Sequence, residues 1–193
     1  MRVSREKAAE NRERVVATAA GQFRAHGFDG IGIADLMKAA GLTHGGFYGN
    51  FASKDELAAE AVARAFAETT AQLRERARQA PDPFAAAVAL YLSPAHRDAP
   101  EAGCAIAALA QDAARSTPAL RSTFEAGISG YLDLIEELAG VTRATAMSIY
   151  ATMVGGLTLA RAVMDPTMSA AMLDATRDAT LAIRNSATGP LPN

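Results

Sequence analysis

The segment that most constrains this chain is 27–57, GFDGIGIADLMKAAGLTHGGFYGNFASKDEL, in which glycines divide the chain into short helical pieces. A tight turn is expected at Gly41, because glycine readily takes the positive φ that ends a helix. Thr43 follows as the N-cap of a second short helix, with Leu42 and Phe47 flanking it as a hydrophobic staple. The pattern predicts a helix-turn-helix, whose second helix can enter a DNA major groove.

The rest of the chain is predicted to be helical. Half of the 193 residues are hydrophobic but only 6% are aromatic, so the core is built largely from Ala, Leu, Val, Ile and Met. Ala is a strong helix former, and no segment favours a strand. We expect an all-α protein of about nine helices, with a small N-terminal bundle over 1–53 and a larger one over 54–193. The expected helices run over about 10–26, 33–40, 44–51, 54–79, 83–92, 104–114, 118–138, 142–164 and 169–186, with a loop over 93–100.

Charge is divided unevenly along the chain. The net charge is −2, yet residues 1–54 contain eight basic and five acidic residues. The basic excess therefore coincides with the predicted helix-turn-helix, and positive charge there favours contact with DNA phosphates. A single cysteine excludes an intrachain disulfide framework, and the charged N-terminus shows no apolar signal region. No apolar run approaches the ~18 residues of a membrane span, so we expect a cytoplasmic protein with no membrane partner.

Four residues of the motif are suited to DNA contact. The hydroxyl groups of Thr43 and Tyr48 can bind phosphates, and Lys54 stands at a helix N-terminus that also attracts phosphate. His44 precedes two glycines that permit close approach to base edges. The alternatives are that Tyr48 packs against Phe51 and that His44 is an idle surface residue.

These residues, together with the pattern GF…ADLM…AGLTHGGFY…F…SKDEL, resemble the DNA-binding domain of the TetR family of bacterial transcription regulators over about residues 11–60. The resemblance implies a three-helix DNA-binding domain over 1–53 and a helical ligand-binding and dimerisation domain over 54–193. It also implies a dimeric repressor that leaves its DNA operator when a small molecule binds, and needs no cofactor. The implied DNA contacts are Thr43, His44, Gly45, Phe47, Tyr48 and Lys54.

The chain departs from the family at three positions. Ile31 and Gly32 stand where a Thr or Ser is common, and Asn50 stands where a His is common. These departures affect individual contacts and the choice of operator, while the motif itself remains.

A dimer is needed to read both halves of a palindromic operator. The small-residue stripe on the second-last helix permits close approach of a partner helix, with internal packing of the same stripe as the alternative. The candidate interface residues are Ala151, Gly155, Gly156, Leu159 and Val163.

Two kinds of effector site are expected in the C-terminal part. Gly103-Cys104 resembles a branch of the family in which such a cysteine responds to electrophiles or oxidants, and His96 and Arg97 could add positive charge nearby. The alternative is that Cys104 is a small buried hydrophobic residue. The second kind is an apolar pocket, for which core packing is again the alternative. Its candidate walls are Phe66, Phe84, Leu92, Phe124, Tyr131, Met147, Tyr150, Met153 and Met164.

The alternatives to a regulator are a helical enzyme and a structural scaffold without specific DNA binding. The three histidines lack metal-ligand spacing, and no phosphate-binding glycine loop occurs. Nothing orients Cys104 and His96 as a nucleophile and base. We therefore expect no catalytic residue and no metal site.

Overall fold

The computed structural model describes residues 5–189, and in this range the chain folds into nine α-helices without a strand. The all-α fold is as expected. The helices are α1 (Arg5–His26), α2 (Ile33–Ala39), α3 (Lys54–Arg78), α4 (Pro83–Tyr91), α5 (Pro94–Asp98), α6 (Ala105–Ala114), α7 (Pro118–Ala139), α8 (Arg143–Ala162) and α9 (Pro166–Thr188). Short 3-10 helices occur at His44–Gly46 and Pro100–Ala102.

Most helix boundaries follow the local sequence signals. Gly41 has a φ of 70°, which confirms the expected left-handed turn, and Gly27, with a φ of 77°, ends α1 in the same way. Ser53 begins α3 by accepting a hydrogen bond from the Glu56 amide at 3.1 Å. Asp82 caps α4 in the same way, accepting from the Ala85 amide at 3.0 Å.

Four elements differ from the expectation. The first helix, α1, begins at Arg5 instead of about residue 10. The second helix of the motif is a single 3-10 turn at His44–Gly46 followed by turns, because glycine is a poor helix former. The expected loop over 93–100 contains α5, whose first turn is capped by Ser93. The last helix begins at Pro166 rather than Ser169, since Asp165 accepts from the Thr167 amide at 3.1 Å.

One continuous core joins the N-terminal helices to the bundle. α3 packs against both α1 and α7, and α8 packs against α9. A series of aromatic contacts runs through this core, from Phe28 to Phe124 with ring centroids 6.3 Å apart, and from Phe124 to Phe66 with centroids 5.8 Å apart. The boundary at residues 53 and 54 stays a prediction. None of the helices within residues 5–189 has the length and hydropathy needed to cross a membrane.

Candidate functional site

The segment 43–51, called here the reading turn, is exposed on one side of the molecule. The Thr43 side chain makes no capping hydrogen bond. His44 and Gly45 are exposed, and Tyr48 is 66% exposed. The rings of His44 and Tyr48 meet edge to face with centroids 5.7 Å apart. The hydroxyl, imidazole and phenol groups are thus presented together on the surface.

Phe47 differs from the other predicted DNA contacts. Its side chain is 0% exposed and packs beside Phe51 with ring centroids 5.6 Å apart. A side chain with no exposed surface cannot touch DNA, so Phe47 anchors the reading turn instead of contacting DNA through its ring.

Two further side chains hold the reading turn, and sequence reasoning did not identify their roles. The Asn50 amide donates to the carbonyl of Gly46 at 2.7 Å, closing the turn. The Arg12 guanidinium lies 4.7 Å from the centroid of the Phe51 ring and also pairs with Glu60 of α3. In the sequence, only the four-residue spacing of Asn50 and Gly46 indicates such a contact, because it suits a side-chain hydrogen bond across one turn.

Lys54 is half-buried in the first turn of α3. Its neighbours Asp55 and Glu56 lie in the same turn, and the Glu56 carboxylate accepts from the Ala52 amide at 2.6 Å. The structure therefore places Lys54 beside the end of the reading turn, at a helix N-terminus that already carries acidic groups.

A cavity of about 310 Å³ lies between α3, α4, α7 and the segment 93–104. It has the size of the smaller ligand pockets in proteins. Its walls combine apolar side chains with hydroxyl, thiol, amide and imidazole groups. The lining residues are Thr69, Gln72, Leu73, Arg76, Leu90, Tyr91, Ser93, Ala95, His96, Ala99, Ala102, Gly103, Cys104 and Tyr131.

Of the predicted sensor cysteine and the predicted pocket walls, only Cys104 and Tyr131 line this cavity. Phe66 lines a separate groove between α3 and α7. The predicted walls Leu92, Phe124, Tyr150, Met153 and Phe84 are buried in the core. Two others are wrong as pocket walls, since Met147 and Met164 are exposed on the surface. Periodicity shows that a residue faces inward, but it cannot show where packing leaves a space.

Cys104 is buried beside a histidine of fixed tautomer. The Cys104 amide donates to His96 Nε2 at 3.0 Å, so the proton of the neutral ring is on Nδ1, which lies 2.6 Å from the carbonyl oxygen of Tyr91. Burial lowers the pKa of His96, and the charges of Arg161 and Arg24 lower it further. The expectation that His96 supplies positive charge to Cys104 is therefore wrong.

Arg97 does not supply this charge either, because it pairs with Asp98 and donates to the Ser169 hydroxyl of α9. Arg24 and Arg161 are the cations whose charges lower the pKa of His96, the residue beside Cys104. Burial lowers the pKa of both guanidinium groups, and within residues 5–189 neither has a carboxylate partner.

Gly103, the residue before Cys104, is required for steric reasons. A Cβ on Gly103 would lie 2.5 Å from His96 Nε2 and 3.2 Å from the nearest Arg161 nitrogen. Only glycine lets the His96 ring reach the Cys104 amide. The sequence showed the Gly-Cys pair, but it gave no sign that His96 explains it.

The predicted dimer stripe divides into two faces. A Cβ on Gly156 would lie 2.1 Å from the Thr176 hydroxyl oxygen, so Gly156 packs against α9 within the protomer. A Cβ on Gly155 would meet no atom within 4 Å, and Ala151 and Leu159 are exposed. Val163 is half-buried at the end of α8. An outward stripe of Ala151, Gly155 and Leu159 remains available to a partner.

Comparison with known proteins agrees with this architecture. Residues 15–61 match the family model described as bacterial regulatory proteins, tetR family. No curated protein sequence matches the chain.

Solved structures extend the similarity to nearly the whole chain. The match to the reduced form of NemR from E. coli has a TM-score of 0.73 at 20% identity. It covers 89% of this chain and 95% of the NemR chain. The match to a TetR-family regulator from Cytophaga hutchinsonii has a TM-score of 0.74 at 21% identity and covers 94% of this chain and 98% of the other. The match to a TetR regulator from Chloroflexus aurantiacus has a TM-score of 0.71 at 29% identity and covers 92% of this chain and 95% of the other. The chain accordingly carries, over residues 15–61, the segment that defines the bacterial regulatory proteins of the tetR family, and it shares the fold of solved TetR-family transcriptional regulators.

Proposed function

We propose that this protein is an effector-responsive repressor that binds a palindromic operator as a homodimer in the cytoplasm. The observation that carries the proposal is the reading turn, which is anchored from inside by Phe47 and presents Thr43, His44 and Tyr48 outward. Polar groups of this kind bind phosphates and base edges. Lys54 and the main chain of Gly45 complete the proposed contact surface.

The dimer follows from the small size of each reading turn. One such element spans only a few base pairs, whereas two copies about 34 Å apart can read successive major grooves on one side of the duplex. The exposed stripe on α8, with Leu159 57% exposed and Met147 53% exposed, supports this face as the interface between copies. Met168 of α9 extends the same apolar character.

Effector binding in the cavity has two routes to the reading turn. α3 lines the cavity from Thr69 to Arg76 and begins directly after the reading turn. The cavity segment 99–104 also contacts α1, because Arg24 Nε donates to the Glu101 carbonyl at 2.8 Å. Movement of either wall therefore changes the spacing of the two reading turns in a dimer, which supports release of DNA by population shift.

A gel shift with the DNA upstream of the protein's own gene tests operator binding. We expect the intact protein to prefer this DNA to random competitor by about 10³-fold or more at physiological salt. Thr43→Ala should weaken binding, while Thr123→Ala, an exchange on α7 away from the reading turn, should not. Binding that is equally strong to random DNA would contradict the proposal, as would a strict monomer that still binds the operator tightly.

A second candidate trigger is modification of the Cys104 thiol. Cys104 is 1% exposed yet lines the cavity, and its Sγ lies 3.6 Å from the Tyr150 hydroxyl. A reagent small enough to enter the cavity is therefore required. Titration of DNA release with a quinone or hypochlorite tests this trigger. Equal sensitivity of the wild type and Cys104→Ser would eliminate it.

A further inference from the structure

We propose that the effector of this cavity is a small organic acid about as long as a cinnamate. Its carboxylate binds Arg76 at the mouth, and an oxygen at its other end accepts a hydrogen bond from Tyr91. This inference rests on the proposed effector response and names the chemistry of the ligand.

The inner polar contact is assigned to Tyr91. This residue lines the cavity, is 3% exposed, and has a buried hydroxyl that makes no hydrogen bond of ordinary length among residues 5–189, with the Cys104 thiol, a weak acceptor, near it. Burial raises the pKa of the phenol well above its ordinary value, with the nearby Cys104 thiol adding to the effect. The group therefore stays protonated and is a hydrogen-bond donor in need of an acceptor.

The outer contact is assigned to Arg76, in the last turn of α3. Its neighbours Arg74 and Arg78 both pair with Glu137, at 3.0 and 2.7 Å. Arg76 has no ion pair with any residue of the described range, and it is the one arginine that lines the cavity. No Asp or Glu occurs among the lining residues, so the cavity is suited to an anion. A guanidinium binds a carboxylate through two parallel hydrogen bonds.

The extent of the cavity along α3 sets the size of the ligand. Thr69, Leu73 and Arg76 lie on one face of α3, and the seven helical steps from Thr69 to Arg76 span about 10 Å along the helix. The walls between the two ends include Leu73, Leu90 and the ring of Tyr131, which suit an apolar or aromatic body.

Isothermal titration of the full-length protein without DNA tests the assignment with three probes. These are 4-hydroxycinnamate, its uncharged amide, and cinnamate, which lacks the inner oxygen. We expect 4-hydroxycinnamate to bind at least about tenfold more tightly than the amide, because the amide lacks the charge that pairs with Arg76. Cinnamate should bind more weakly than 4-hydroxycinnamate, because it cannot accept from Tyr91.

Two variants locate the contacts. Arg76→Gln should make the acid and the amide equal, while Arg121→Gln, which changes an exposed arginine outside the cavity, should keep the difference. Tyr91→Phe preserves the ring and should make 4-hydroxycinnamate bind no better than cinnamate. Circular dichroism confirms that each variant is folded.

Equal binding of acid and amide to the wild type overturns the inference, as does failure of all three probes to bind. These outcomes are independent of operator recognition, which the gel shift measures without any probe. Loss of operator binding with intact discrimination between acid and amide would instead count against the proposed repressor.

Discussion

Arg24 of α1 donates through Nε to the main-chain carbonyl of Glu101 at 2.8 Å, joining the first helix to the segment beside the effector cavity. Gly21 of α1 packs against the same carbonyl, since a Cβ there would lie 3.7 Å from its oxygen, at ordinary van der Waals distance. The main chain of the cavity segment is thus held by the DNA-binding part of the molecule. The two proposed sites share a packed boundary rather than a flexible link.

We expect Arg24→Met to lower the free energy of unfolding by about 1–3 kcal/mol, because the Glu101 carbonyl loses a charged donor. Urea denaturation followed by circular dichroism measures the effect. Arg121→Met serves as control, since Arg121 is exposed on α7 and should change stability little. Equal stability of the two variants would show that the Arg24 contact contributes nothing to the free energy of unfolding.

The adjacent aromatic residues of the reading turn should respond in opposite ways. Phe47→Ala should destabilise the protein by about 3–5 kcal/mol, as expected for removal of a fully buried ring. Tyr48→Ala should leave stability within about 0.5 kcal/mol and weaken operator binding, because this ring is mostly exposed. Thermal unfolding and gel shifts on both variants check this. A Tyr48→Ala variant that binds the operator normally would remove Tyr48 from the contact surface.

The neighbouring glycines of α8 give a matched test of the dimer face. Gly156→Ala should destabilise the protomer by about 1–3 kcal/mol, because the new methyl group collides with Thr176. Gly155→Arg should keep the fold and separate the subunits, since its side chain enters open space on the outward stripe. Sedimentation together with urea denaturation distinguishes the two effects. A Gly155→Arg protein that remains dimeric would place the interface elsewhere.

Stability should fall in mild acid through His96. Its pKa in the folded protein lies below the ordinary histidine value of 6.5, because burial disfavours the charged ring, so the unfolded chain takes up the proton first. The free energy of unfolding contributed by this group is complete above pH 6.5 and decreases as the pH falls towards the folded-state pKa, by at most about 1.4 kcal/mol per pH unit.

Urea midpoints at several pH values between 7.5 and 5 would measure this slope. His96→Gln should flatten it, whereas His26→Gln, on an exposed histidine, should leave it as in the wild type. An unchanged slope in His96→Gln would mean that other groups cause the acid sensitivity.

Local chemistry made much of the fold predictable. Gly27, Gly41, Ser53 and Asp82 each act through their own φ or side chain, and each ends or begins a helix at the expected place. The short α5 was missed because Ser93-Pro94 suits both a loop and a helix start. The second motif helix is shorter than expected because its glycines disfavour a helix more than the hydrophobic staple favours one.

The effector cavity was less predictable, since it depends on where distant segments fail to fill space. His96 and Cys104 were both singled out, yet their arrangement is set by Gly103 and by the carbonyl of Tyr91. Neither Tyr91 nor Arg76 belongs to a sequence motif that would mark it as a cavity residue. Similarly, Gly155 and Gly156 are adjacent and chemically identical, and only the position of α9 separates their roles.

In the reading turn, structural support and surface chemistry belong to different residues. Phe47, Phe51 and the bond from Asn50 to Gly46 support the backbone, while Thr43 makes no capping hydrogen bond and Tyr48 faces outward. Evolution or an engineer can therefore exchange the outer side chains for ones that prefer another nucleotide sequence while the scaffold stays intact. The chain is built so that its target can diverge faster than its fold.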